Sequence, residues 1–137
     1  ASSVAGMSQR LPSSDNVVLK GIREEPSAED GARVLVDRLW PRGVSKERAA
    51  LDEWAKDATP TTELRRAFHS GDLPWPQFVE AYRAELTERP EAAAAVEHLR
   101  HEALTGRVTL LFAGHDHVHC HARVLREAVL GVEEDLT

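Results

Sequence analysis

The chain has 137 residues, of which 42% are hydrophobic, so it can bury a core without a disulfide or a metal, and general disorder is excluded. The one cysteine, Cys120, excludes an internal disulfide and is typical of a reducing compartment. A net charge of −6 disfavours nucleic-acid binding, and apolar runs such as 108–113 are too short to cross a bilayer. We therefore expect a cytoplasmic protein with neither a nucleic-acid nor a membrane partner.

Three regions follow one another along the chain. Residues 1–16 are rich in serine and predict a flexible tail, in which Met7 is a candidate natural start. This region has no apolar segment of the kind that secretory signals carry. Residues 17–132 predict a single α/β domain, and residues 133–137 an acidic C-terminal end.

Three segments predict strands, at 17–22, 33–39 and 108–113. The third carries apolar residues on both of its alternating faces, which is typical of a strand covered by helices on both sides. A long helical crossover permits the second and third strands to be parallel and adjacent, whereas the direction of the first stays open. We expect a small, mostly parallel three-stranded sheet flanked by helices, a Rossmann-like layered α/β architecture.

Apolar side chains at helical spacing predict five helices between and after these strands. Ser45 is a candidate N-cap for the first of them. The predicted helices cover about 51–58, 64–71, 75–89, 92–105 and 118–129.

The segment after the second strand carries candidate anion-binding residues. Ligands of open α/β sheets bind beyond the C-terminal ends of parallel strands. Arg38 and Arg42 stand there with Trp40, and Lys46 follows closely. A guanidinium group grips a carboxylate or phosphate with two hydrogen bonds, so these residues predict a binding site for a small anionic molecule. The alternative is a structural network in which the arginines pair with carboxylates, for which the candidates are Asp37, Asp57 and Glu53.

The segment after the third strand, 114–121, holds four of the seven histidines. His119 is a candidate acid or base near neutral pH. His117 and His121 are weak candidates for metal ligands, because they would stand four residues apart on a helix that began near Val118. No second Cys/His cluster completes a tetrahedral site, so we expect neither a metal nor a cofactor.

Cys120 and Arg126 have the bare spacing of a cysteine-phosphatase loop. Such a loop curls so that its amides converge on phosphate, which usually requires glycine. The five intervening residues contain no glycine and follow a helical pattern, in which the two side chains stand about 120° apart. We therefore expect a small buried cysteine and no phosphatase chemistry.

The run Leu39-Trp40-Pro41-Arg42-Gly43 resembles the signature of the YeaO-like bacterial proteins, a family built on domain of unknown function 488. The similarity extends over most of 17–130. The resemblance implies an α/β fold and a small cytoplasmic bacterial protein, but it supplies no reaction. Family members often carry Asn where this chain has Cys120, which argues against a nucleophilic thiol and leaves His119 as the better catalytic candidate.

Two functions stay open. The first is an enzyme or binder of a small anionic ligand at the C-terminal strand ends. The second is a protein-interaction or regulatory module without catalysis, in which the arginines are structural. An open polar cleft joining Arg42 and His119 would favour the first, and buried arginine–aspartate pairs without a cleft would favour the second.

Overall fold

In the described part of the chain, four parallel strands form the sheet, and their order across it is Val17–Gly21, Val108–Phe112, Ala32–Leu35 and Glu53–Trp54. The structure is a computed structural model that describes residues 10–133 and 136. The predicted tail over residues 1–9, and residues 134, 135 and 137 of the acidic end, lie outside the described part. The strands are β1 (Val17–Gly21), β2 (Ala32–Leu35), β3 (Glu53–Trp54) and β4 (Val108–Phe112).

The central pair of strands confirms the predicted topology. β2 and β4 are parallel neighbours, with Val34 opposite Leu110 and Leu35 opposite Leu111. β1 lies on the other side of β4 and is also parallel to it, which settles the direction that the sequence left open. The C-terminal ends of β2 and β4 therefore meet at one edge of the sheet.

The prediction of three strands is wrong, because β3 adds a fourth. Its two residues pair with β2, flanked by bonds from the Asp52 amide to the Arg33 carbonyl and from the Ala55 amide to the Leu35 carbonyl. The sequence predicted a helix here from the spacing of its apolar residues. Ala50 instead adopts the left-handed conformation (φ 47°) and ends a short helix, after which the chain extends along β2. A two-residue strand is too short to show a period of two.

Five α-helices of the described residues accompany the sheet. Ser45 is the N-cap of the first, since its hydroxyl accepts the Arg48 amide at 3.1 Å. The second, third and fourth confirm the predicted helices, whereas the last begins at 121 and not near 118. The helices are α1 (Lys46–Ala49), α2 (Thr62–His69), α3 (Trp75–Glu88), α4 (Pro90–Thr105) and α5 (His121–Leu130).

The two faces of the sheet carry unequal cores. Val34 and Leu110 belong to a large core that α3, α4 and α5 cover. Leu35 and Leu111, one residue further along each strand, belong to a smaller core under α1 and the flanking loops. This alternation is why β2 and β4 are apolar throughout, and it confirms the predicted parallel sheet with helices around it.

The chain before β1 packs against the body of the protein. Residues Ser14–Asn16 form a single 3₁₀ turn. The Asn16 side-chain Nδ2 donates to the Ala103 carbonyl at 2.8 Å, and Arg126 donates to the Ser14 carbonyl at 3.0 Å. Among the helices of the described residues, none has the length and apolar character needed to span a membrane.

Candidate functional site

A cleft of about 620 Å³ opens at the edge where β2 and β4 end. Its walls are the loop after β2, the loop after β4 and one face of α2. Arg42 and His119, which the sequence placed at this edge, both line it, as do Arg38, Trp40 and Cys120. Lys46 is exposed in the first turn of α1 and does not line the cleft.

The loop after β2 is held by two tryptophans and an aspartate. The Trp40 indole donates to the Val44 carbonyl at 2.6 Å and meets the Trp54 ring edge-on at 5.4 Å. The Trp54 indole donates to the Asp37 carbonyl at 2.7 Å. The Asp37 carboxylate accepts the Ala113 amide at 2.8 Å, which ties the two loops together. The cleft edge therefore has a fixed shape.

Three arginines line the cleft without a carboxylate partner among the described residues. Arg38 donates weakly to the Thr59 hydroxyl at 3.3 Å and to the Pro60 carbonyl at 3.4 Å. Arg42 is exposed, and Arg65 projects from α2. Among the described residues, the ion pairs that arginine makes belong to other positions, namely Arg33, Arg83, Arg89 and Arg100.

The structural alternative was that the cleft arginines pair with nearby carboxylates, and each of the three candidate carboxylates is engaged differently. Asp37 is occupied by the Ala113 amide and lies 3.5 Å from His121, and Glu53 accepts from His98 at 2.7 Å. Asp57 is exposed, with no ion pair among the described residues. The guanidinium groups thus keep donors that carboxylates of the described chain do not satisfy.

Asp116 orients His119 on the loop after β4. Its carboxylate accepts the amides of Val118 and His119, both at 2.9 Å, and contacts the His119 Nδ1 at 3.0 Å. The backbone amides of His119 and Val118 lower the pKa of Asp116 to about 2. The His119 ring also meets Trp75 edge-on at 5.4 Å. A carboxylate on Nδ1 leaves Nε2 as the nitrogen for contact with a ligand.

Cys120 is the N-cap residue of α5 and is 6% exposed. Burial raises the pKa of its thiol to about 11, although amides at the start of α5 oppose the shift. Arg126 donates to the carbonyls of Val17 at 2.6 Å and Ser14, and it does not line the cleft. The phosphatase-like spacing therefore does not bring thiol and guanidinium together.

His121 lines the cleft and is bonded to the backbone. Its Nε2 lies 2.7 Å from the Val36 carbonyl, so it acts as the donor there. Burial lowers its pKa, as do the nearby His69 and Arg65, while Asp37 opposes the shift. His117 packs edge-on against Phe112 at 4.9 Å. Because α5 begins at His121, the expected four-residue pairing of these two histidines on one helix does not form.

Arg65 and His69 are cleft residues that the sequence reasoning did not select. With Phe68 they follow the spacing i, i+3 and i+4 on α2, so one helix face presents all three. That spacing was available in the sequence. What was missing was the packing of α2, which turns this face towards the ends of β2 and β4.

These features define a class of small α/β proteins with a parallel sheet and an arginine- and histidine-lined cleft at its strand ends. Residues 16–136 match the family described as the inactive DUF488-N3 subclade (DUF488-N3i), and the chain belongs to this family. The expected resemblance to YeaO-like proteins is confirmed.

The curated relatives are uncharacterized proteins of similar length. YeaO of Escherichia coli K12 is 40% identical over 112 residues, which cover 82% of this chain and 95% of the relative. Rv3073c of Mycobacterium tuberculosis H37Rv and Mb3100c of Mycobacterium bovis are each 37% identical over 112 residues, covering 80% of this chain and 90% of the relative. No solved structure matches the chain significantly.

Proposed function

We propose that the protein binds a small anionic molecule, carrying a phosphate, sulfate or carboxylate group, in the cleft at the ends of β2 and β4. The observation that carries this proposal is the set of three guanidinium groups, on Arg38, Arg42 and Arg65, that line one cleft without a carboxylate partner in the described chain. Guanidinium groups with free donors are suited to bidentate contact with an oxyanion.

The other cleft residues can contact a second, non-ionic part of the ligand. Trp40, Phe68 and Phe78 line the same space and offer apolar surface to a non-ionic part of the molecule. His119, oriented by Asp116, donates to a ligand oxygen or exchanges a proton with it. Lys46, which we predicted from the sequence as a further contact, lies outside this arrangement.

We favour binding of the anion without any reaction at Cys120. The chain belongs to a subclade described as inactive, and burial raises the pKa of the Cys120 thiol to about 11, which disfavours a nucleophilic thiolate near neutral pH. If the protein does not turn the anion over, its role is regulatory or sensing, and the bound anion changes the stability of the protein or its affinity for a partner.

Thermal shift across a panel of anions tests the proposal. We expect phosphate, sulfate or a carboxylate to raise the melting temperature of the wild type, and Arg42→Ala and Arg65→Ala to lose most of that rise. Arg66→Ala is the matched control, because Arg66 neighbours Arg65 on α2, is exposed and does not line the cleft. A wild type that no anion stabilises, with an Arg42→Ala variant that is strongly destabilised, would make the site structural.

A further inference from the structure

A second cluster of ionisable side chains lies away from the cleft, between the edge strand and a helix. Glu53 belongs to β3, and His98 and Glu102 belong to α4. The His98 Nε2 is 2.7 Å from a Glu53 oxygen and 3.3 Å from a Glu102 oxygen. One ligand atom from each residue lies within 4.8 Å of the other two. None of the three lines the cleft.

Backbone geometry places these three groups before any ligand arrives. His98 and Glu102 stand four residues apart on α4, so they share one helix face. Glu53 is held on β3 by the backbone bonds that Asp52 and Ala55 make with β2 on either side of it. The cluster therefore joins two elements whose positions the fold already fixes.

The cluster is not satisfied by its own hydrogen bonds. The His98 Nε2 carries at most one proton, which the shorter contact to Glu53 uses. The Glu102 Oε1 is shielded from solvent and makes no regular hydrogen bond among the described residues, since its neighbours are the His98 Nε2 at 3.3 Å and the Glu53 carboxyl. The two carboxyl groups thus interact with one imidazole and with each other, and Asp52 adds negative charge nearby.

We propose that Glu53, His98 and Glu102 form a binding site for one divalent transition-metal ion that links β3 to α4. Ligand atoms held about 2.1 Å from a tetrahedral ion lie roughly 3.4 Å apart, a spacing that small side-chain rotations reach from the observed distances. An imidazole with two carboxylates suits Zn²⁺ or a similar ion better than Mg²⁺, which prefers an octahedron of oxygens.

The cluster is open to solvent on the side of His98. The His98 side chain is 60% exposed, so an ion can reach the cluster and keep water as a further ligand. This site departs from the sequence-based expectation of no metal, which considered the histidines of 115–121. Two of its ligands lie on α4, and the third, Glu53, precedes them in the chain by 45 residues or more.

Zinc titration of the chelator-stripped full-length protein tests the site. We expect one Zn²⁺ per chain by isothermal titration calorimetry and a higher melting temperature with Zn²⁺ but not with Mg²⁺. His98→Ala and Glu102→Gln should weaken binding at least about tenfold, since even the residues that support metal ligands contribute 10–100-fold. His101→Ala is the matched control, because His101 is an exposed histidine of the same helix.

A second comparison separates this site from the exposed histidines of the loop after β4. The double variant His115→Ala/His119→Ala should bind Zn²⁺ as the wild type does. Far-UV circular dichroism of each metal-free variant verifies that it is folded, and Glu102→Gln preserves side-chain shape. Absence of Zn²⁺ binding by the wild type, equal affinity of His98→Ala and His101→Ala, or loss of binding in the loop variant would each overturn the proposal.

Discussion

The two ends of strand β2 carry arginines in opposite circumstances. At its N-terminal end, Arg33 is 5% exposed and donates to the Asp30 carboxylate and the carbonyls of Ala49 and Ala50. Beyond its C-terminal end, Arg38 and Arg42 line a cleft and have no carboxylate partner among the described residues. Arginines a few residues apart are thus structural at one end and available at the other, and their partners make the difference.

The partners of Arg33 also show how a buried charge is stabilised. Burial alone would raise the pKa of Asp30, but a hydrogen bond from the Ser27 backbone and contacts from Lys20 and Arg33 lower it overall. Lys20 donates to Asp30 at 3.0 Å, and Arg33 contacts its other oxygen. The carboxylate therefore stays ionised in the interior because three donors surround it.

The largest expected effect is on folding stability at the buried end. Arg33→Met should lower the free energy of unfolding by about 3–5 kcal/mol, because removing one member of a buried ion pair leaves the other charge without compensation. Lys20 retains its contacts with both Asp30 oxygens, at 3.0 and 3.2 Å, so the lower part of this range is expected. Urea denaturation measures the change. Arg42→Met is the control and should change stability by less than about 0.5 kcal/mol, as exposed positions do; equal losses in both variants would remove the distinction between the two ends.

The next largest effect is on ligand binding at the open end. Arg42→Ala should weaken anion binding by about 1.5–3 kcal/mol, the range for hydrogen bonds to charged groups, and leave the free energy of unfolding nearly unchanged. Arg42→Lys should lose less, because it keeps the charge but not the planar fork. Dissociation constants for the anion that raises the melting temperature most provide the measurement. If the Arg42→Ala variant binds the anion as tightly as the Arg66→Ala variant does, Arg42 makes no specific contribution to anion binding.

A smaller effect separates His121, a cleft residue bonded to the Val36 carbonyl, from the exposed histidines by its pH dependence. Because its pKa is lowered in the folded protein, the unfolded chain takes up a proton at higher pH than the folded chain does. The contribution of His121 to the free energy of unfolding is therefore lost as pH falls through the unfolded value of 6.5 towards the lower folded value. His121→Gln should flatten this part of the stability curve, and His101→Gln, at an exposed site, should not. An unchanged slope in His121→Gln would show that another group causes the loss.

The smallest effect is expected at Cys120, which lines the cleft but is buried. Its raised pKa predicts slow alkylation by iodoacetamide at about pH 7.5 in the folded protein and fast alkylation in urea. Cys120→Ala should keep anion binding, and the wild type should not hydrolyse an aryl phosphate. Hydrolysis that disappears in Cys120→Ser would contradict both the thiol's assignment and the favoured version of the function.

The sequence by itself determined the elements whose patterns are long enough to read locally. The apolar run 108–113 and the helical crossover before it predicted that β2 and β4 are parallel neighbours, and this placed the loops carrying Arg42 and His119 at one edge. Apolar spacing also located α2, α3 and α4. These features depend on periodicities that a single segment carries within itself.

Only the tertiary structure decided which side chains meet. β3 is two residues long and exists because β2 lies beside it, so no local period reveals it. Arg33 and Arg38 look alike in the sequence, and only the packing supplies one with Asp30 and leaves the other at the cleft. The cluster of Glu53 with α4 likewise joins distant segments. Contacts between residues far apart in the chain follow from how faces pack, and a local pattern of residue types does not contain that information.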